Sequence, residues 1–128
     1  MPSSNPKTIL IVEDESDTAE MYTQMLERNG YVVLKASGGV AAMQHLLHEK
    51  IDLILLDLMM PDVSGLEVLR FLRREPQLQD LPVIIVSAKG LPEDIEKGMQ
   101  AGASLYITKP IGYREFIRAV GEVLQSSA

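Results

Sequence analysis

The chain contains no cysteine, so neither a disulfide framework nor a thiolate metal site can form, and its stability must come from packing. No apolar run approaches the roughly 18 residues of a membrane span, and the opening segment, MPSSNPK over residues 1–7, lacks the apolar core of a signal peptide. Positive charge is also scarce: 12 Lys and Arg stand against 18 Asp and Glu, a net charge of −6 with a pI near 4.8. Such a chain repels a phosphate backbone. Its basic cluster, Arg70 with Arg73 and Arg74, lies on a predicted helix, where solvated surface is the expectation. These absences argue against direct nucleic-acid binding and membrane insertion, and they fit a soluble protein of a reducing cytoplasm. Internal repeats, low-complexity tracts and linkers are missing as well. At 128 residues with 46% hydrophobic content, one domain with a real core fits and two do not. The expected division is a flexible start at 1–7, one domain over 8–125 and a flexible tail at 126–128.

What is present is ordered. Five short apolar runs, at 8–12, 31–34, 53–56, 83–86 and 104–107, read as strands, each followed by a segment of helix length. After the first strand, Ala19, Tyr22, Met25, Leu26 and Asn29 keep helical spacing, and Gly30 is a natural stop. Ala42, Met43, Leu46 and Leu47 form a second stripe. Ser64-Gly65-Leu66-Glu67 has the capping-box pattern and opens a third helix carrying Leu66, Leu69 and Leu72, which Pro76 ends. Pro92 suits the first turn of a fourth helix ending near Gly102, and Phe116, Ile117, Val120, Val123 and Leu124 share a face of the fifth. Apolar strands regularly separated by helices predict an α/β fold, a doubly wound five-stranded parallel sheet covered on both faces by right-handed crossovers. The common strand order for five strands is the flavodoxin-like 2-1-3-4-5, in which ligands sit beyond the carboxyl ends of strands one and three.

The polar residues that break the strands all fall on that edge. Strand one runs into Glu13-Asp14-Glu15, strand three into Asp57, strand four into Ser87 and strand five into Thr108-Lys109-Pro110. Glu13, Asp14 and Asp57 converge from neighbouring strands, and like charges so close repel unless a cation joins them. Mg²⁺ prefers oxygen ligands and needs few carboxylates, which suits acids with neither Cys nor clustered His. Lys109 and Ser87 are then placed as partners for an anion beside the metal. Carboxylate, metal, hydroxyl and ammonium together suit phosphoryl transfer to an aspartate, with Asp57 as nucleophile.

The stretches ILIVEDE, LILLDLMMPDVSG, VIIVSA and YITKP resemble, in order and spacing, the receiver domain of bacterial response regulators (CheY-like, two-component signalling) over residues 7–124. The resemblance implies that Asp57 accepts a phosphoryl group from a phosphohistidine on a histidine kinase or histidine phosphotransfer protein. It further implies that Glu13, Asp14, Asp57 and the Met59 backbone carbonyl surround Mg²⁺, that Lys109 pairs with the phosphoryl group and that Ser87 hydrogen-bonds it. Tyr106 matches the aromatic switch position, which turns inward as Ser87 moves, and the family's Lys-Pro bond is usually cis, which would apply to Lys109-Pro110. A downstream protein is expected at the face of helix four, strand five and helix five. Met59 and Lys89 stand two positions beyond Asp57 and Ser87, where receivers guide the hydrolytic water. Neither suits that task, so slow loss of the phosphoryl group is expected. No output domain follows the fifth helix, leaving either a stand-alone regulator that acts by binding or a receiver cut from a longer one.

Taken singly, each residue has a plainer reading. Asp57 can cap a turn, Glu13 and Asp14 can favour a helix start, Lys109 can be a solvated loop charge, Ser87 can satisfy backbone and Tyr106 can be a strand aromatic. His45 and His48 are read as a solvated helix face and Met59 and Met60 as loop packing. Among other functions, a flavodoxin-like cofactor binder wants a Ser, Thr or Gly-rich phosphate loop where this chain has Glu13-Asp14-Glu15. An aspartyl-phosphate hydrolase commonly needs a second acid two residues beyond its nucleophile, where Met59 stands. A degenerate receiver acting only as a protein-binding module usually lacks the acceptor, an acid or the lysine, and all are present here. The chain thus reads as a signalling receiver rather than a turnover enzyme.

Overall fold

In the computed structural model, which describes residues 5–126, strands and helices alternate without exception. In chain order they are β1 (Thr8–Val12), α1 (Ser16–Arg28), β2 (Val32–Ala36), α2 (Gly39–His48), β3 (Leu53–Leu56), α3 (Gly65–Arg74), β4 (Val83–Ser87), α4 (Pro92–Gln100), β5 (Leu105–Thr108) and α5 (Tyr113–Ser126). All strand pairings are parallel and the order is β2-β1-β3-β4-β5, the predicted doubly wound arrangement.

The core divides by strand alternation, since successive side chains leave opposite faces of a sheet. Leu10, Val12, Ile54, Leu56, Val83 and Ile85 face a layer that includes Ala42 and Leu46 of α2 and Val68, Leu69 and Leu72 of α3. Ile9, Ile11, Leu53, Leu55, Ile84 and Val86 face α1 and α5 through Ala19, Tyr22, Leu26, Phe116 and Val120. Tyr22 and Phe116 stack there with ring centroids 5.0 Å apart. Each fully buried Leu or Ile contributes about 1.5–3 kcal/mol of transfer free energy.

Element ends follow local chemistry. Ser64 caps α3 in the expected capping box with Glu67. At the end of α1, Gly30 takes φ +87° and donates to Glu27 O, while Tyr31 N donates to Leu26 O, a Schellman motif. That bond occupies the Tyr31 amide, so β2 begins one residue later than predicted, and pairing of Lys35 and Ala36 with Ile11 and Val12 extends it to Ala36. β5 likewise begins at Leu105 rather than Ser104.

Other expectations change. Leu47 is 59% exposed, because the inward stripe of α2 runs through Gly39, Ala42 and Leu46. Arg73 is not solvated surface: Nε and Nη2 donate to Gly102 O at 3.1 and 2.7 Å, and Nη1 to Gln79 O at 3.0 Å. α5 continues through Ser126, and residues 5–7 have no regular structure. The predicted loose ends at 1–4 and 127–128 lie outside the described residues. Among the described residues, no helix is long and apolar enough to cross a membrane.

Candidate functional site

Register decides what meets at the carboxyl edge. Val12 of β1 lies opposite Leu56 of β3, so the next residues, Glu13 and Asp57, emerge side by side. Each remains tied to the sheet, Glu13 N donating to Ala36 O and Asp57 N to Val12 O, both at 3.0 Å. Ser87 pairs with Thr108, which carries Lys109 off the end of β5 beside β4. Lys109 N donates to Ser87 O at 2.8 Å, and the Lys109-Pro110 peptide is cis.

The Lys109 ammonium is shared between two carboxylates, lying 3.2 Å from Glu13 Oε1 and 3.6 Å from Asp57 Oδ2. The other Asp57 oxygen, Oδ1, accepts from Met59 N at 3.1 Å, and Glu13 Oε2 accepts from Glu15 N at 3.2 Å. Glu13 and Asp57 are 4% and 8% exposed, whereas Asp14 is open to solvent. One oxygen from each of Glu13, Asp14 and Asp57 lies within 4.8 Å of the others.

Burial pushes the Glu13 carboxyl up, the Asp57 charge pushes it further, and the Glu15 amide and Lys109 only partly oppose them. Burial works against the Lys109 charge, but Asp57 and Glu13 outweigh it and raise its pKa. One ammonium therefore does not neutralise this acidic group. The donors are all oxygen and one side is open to water, the chemistry that suits a hard divalent cation retaining part of its hydration shell.

The other predicted residues lie around this centre in different settings. Ser87 is 0% exposed and its Oγ accepts from Lys89 N at 3.1 Å, so the hydroxyl is turned into the backbone. The Tyr106 hydroxyl donates to Lys89 O at 2.6 Å. Burial raises the Tyr106 phenol pKa, with the nearby Ser87 hydroxyl opposing it, and both side chains are tied to the Lys89 backbone, Ser87 through its N–H and Tyr106 through its carbonyl. The Met59 side chain points outward, 55% exposed, and its backbone is what meets Asp57. His45 pairs with Glu49 and His48 with Gln44 O, apart from the acidic group.

Sequence reasoning missed residues that act through backbone proximity. At Gly65 a Cβ would overlap Asp57 O; the Ser-Gly signal was readable only as a helix start. At Gly98 a Cβ would lie 2.9 Å from the Tyr106 ring and 2.8 Å from Ile85, so α4 seats on that ring through a glycine. Asp62, a turn residue by sequence, reaches the start of α2.

Comparison with known proteins agrees with this geometry. The family described as Response regulator receiver domain matches residues 9–121. The phosphate regulon transcriptional regulatory protein PhoB of Pseudomonas aeruginosa is 42% identical over 119 residues, 93% of this chain and 52% of that protein. The chain thus spans about half the length of such relatives. The polar-differentiation response regulator DivK of Brucella anthropi is 35% identical over 93% of this chain and 97% of its own length. The crystal structure of a CheY-like receiver domain protein from Methanospirillum hungatei superposes with a TM-score of 0.89 at 29% identity, covering 95% of this chain and 96% of that one. Receiver domains bind Mg²⁺ at an acidic cluster, and the group formed by Glu13, Asp14 and Asp57 is of that kind. The fold, the matched span and these identities together make the chain a member of the response regulator receiver domain family, the signalling modules of two-component systems.

Proposed function

We propose that this receiver takes a phosphoryl group from the phosphohistidine of a histidine kinase or histidine phosphotransfer protein onto Asp57, and that the modification changes the face of α4, β5 and α5 presented to a downstream protein. The observation that carries the reading is the Lys109 ammonium held between Glu13 and Asp57 at the carboxyl ends of β1 and β3. Met59 N–H fixes Asp57 Oδ1, which leaves Oδ2 as the attacking oxygen. That oxygen bonds to phosphorus as the bond to the imidazole nitrogen breaks, and the leaving nitrogen keeps the electron pair and takes a proton from solvent. Lys109 moves from carboxylate to the new phosphoryl oxygens. Glu13, Asp14, Asp57 and the Met59 carbonyl would hold Mg²⁺, which would supply further positive charge against those oxygens. Ser87 exchanges its bond from Lys89 N–H for one to the phosphoryl group. Tyr106, bonded to the carbonyl of the same Lys89 whose N–H Ser87 releases, carries the change outward. The module signals by state rather than by turnover, in the cytoplasm.

Incubation with Mg²⁺ and acetyl phosphate followed by intact-mass measurement should show the gain of one phosphoryl group, absent from Asp57→Asn. Full labelling of that variant, or phosphate release with no mass gain in wild type, would overturn the assignment.

A further inference from the structure

Asp62 lies in the connection between β3 and α3, and its carboxylate crosses to another helix. Oδ1 accepts from Gly39 N at 3.0 Å and Oδ2 from Val40 N at 3.2 Å, while Oδ1 also accepts from Val63 N at 2.7 Å. α2 has no capping side chain of its own, since its N-cap is Gly38, and the first N–H groups of a helix need acceptors from elsewhere. An anion at that end is also favoured by the helix dipole. The approach is close: a Cβ at Gly38 would stand 2.8 Å from Asp62 Oδ1, and one at Gly39 would stand 2.6 Å from Val63 Cβ. The backbone N–H groups of Val63, Gly39 and Val40 hold the Asp62 carboxyl below its usual range, so the contact persists in mild acid.

The location gives this contact a consequence. The Met59 side chain is exposed, so its backbone is placed by its neighbours, Leu58 buried and Met60 packed against the core, and by hydrogen bonds. On the strand side those are Met59 N to Asp57 Oδ1 and Gly65 N to Leu58 O. On the far side only Met60 and Pro61 separate Met59 from Asp62, and proline fixes its own φ, which makes a short and stiff link. We propose that Asp62 is a positioning residue for the phosphoacceptor site: by clasping the start of α2 it holds residues 58–63, and with them the Met59 backbone, against Asp57. The inference rests on the reading that this loop faces Mg²⁺.

Amide NMR on metal-free protein, followed by Mg²⁺ titration, tests it with Asp62→Ala, Asp62→Asn and Gly38→Ala. In Asp62→Ala the Gly39 and Val40 amide protons should move upfield, the Met59 amide should move with them before any metal is added, and Mg²⁺ affinity should fall about tenfold. Asp62→Asn keeps an acceptor for Gly39 and should restore part of both signals. Gly38→Ala, which displaces the carboxylate tip, should resemble Asp62→Ala. Shifts confined to Gly39 and Val40, with Met59 and Mg²⁺ affinity unchanged, would reduce Asp62 to a cap of α2 and overturn the proposal. Absence of saturable Mg²⁺ binding in wild type would instead sink the metal reading, while the metal-free Met59 signal still decides the clasp. Where Asp62→Ala fails to fold, the other two variants make the same comparison.

Discussion

Glu13 is held at a cost that Lys109 only partly offsets, because its carboxyl is buried beside Asp57 and its pKa stands above the ordinary 4.5. A carboxyl with a raised folded-state pKa binds more protons folded than unfolded between the two values. Stability therefore falls as pH climbs from about 4.5 through the raised value, and the penalty is complete above it. Lys109 does not confuse the measurement, since its contribution is present below 10.5 and is lost only as pH rises through its own raised value. Thermal melts in EDTA should show Glu13→Gln a few degrees more stable than wild type at neutral pH, the gain fading as pH falls toward 4.5; the same variant should bind Mg²⁺ more weakly. A destabilised Glu13→Gln at pH 7 would contradict this balance. The residues at 59 and 89 bear on lifetime. A thioether is a weak acceptor and an ammonium has no acceptor, so neither orients a water toward phosphorus. Phosphate loss at fixed Mg²⁺ should be several-fold faster in the Met59→Asn/Lys89→Glu double variant than in wild type, and an equal or slower decay would refute the idea. At this scale the acids, Lys109 and Ser87 were legible because each interrupts an apolar run. The inward orientation of the Ser87 hydroxyl was not, because it depends on the turn made by Lys89.

Helix ends and seats carry the next layer of consequences. Arg73, at the last turn of α3, donates to carbonyls of the α3–β4 and α4–β5 connections and so joins three segments near the end of α4 away from the acids. Arg73→Ala should lower stability by about 1–2 kcal/mol in urea unfolding, because it removes three donated hydrogen bonds, two of them to the half-buried Gly102 carbonyl. Arg73→Lys should recover little of it, since an ammonium cannot reproduce the planar fork. Recovery by lysine would assign the effect to charge alone. The sequence showed a basic cluster on a predicted helix but not which arginine turns inward, since its partners lie across the α3–β4 connection and beyond α4. By contrast, the Ser64 cap and the Gly30 stop were readable, because a cap acts within one helical turn.

Across the whole molecule, Ser87 and Tyr106 are both bonded to the Lys89 backbone and Tyr106 seats on Gly98, which is the route from the acidic edge to α4 that the proposed switch would use. Phosphorylation should move amide signals of Tyr106 and residues 91–100, with coupling between site and partner face of about 1–3 kcal/mol. Shifts limited to the loops around Asp57 would remove this route. The exposed Leu91 and Met99 and half-buried Ile95 stand on the surface where the route ends.

Taken by itself, the sequence determined the alternation of elements, the parallel doubly wound class and the edge on which the acids gather. Those features depend on periodicity and on where apolar runs stop, both local properties of the chain. Only the tertiary structure decided which charges touch. Lys109 meets Glu13 from 96 residues away, Asp62 meets Gly39 from 23 and Arg73 meets Gly102 from 29. Each contact exists because strand register and crossover packing bring distant backbone into reach, and no local pattern encodes that distance.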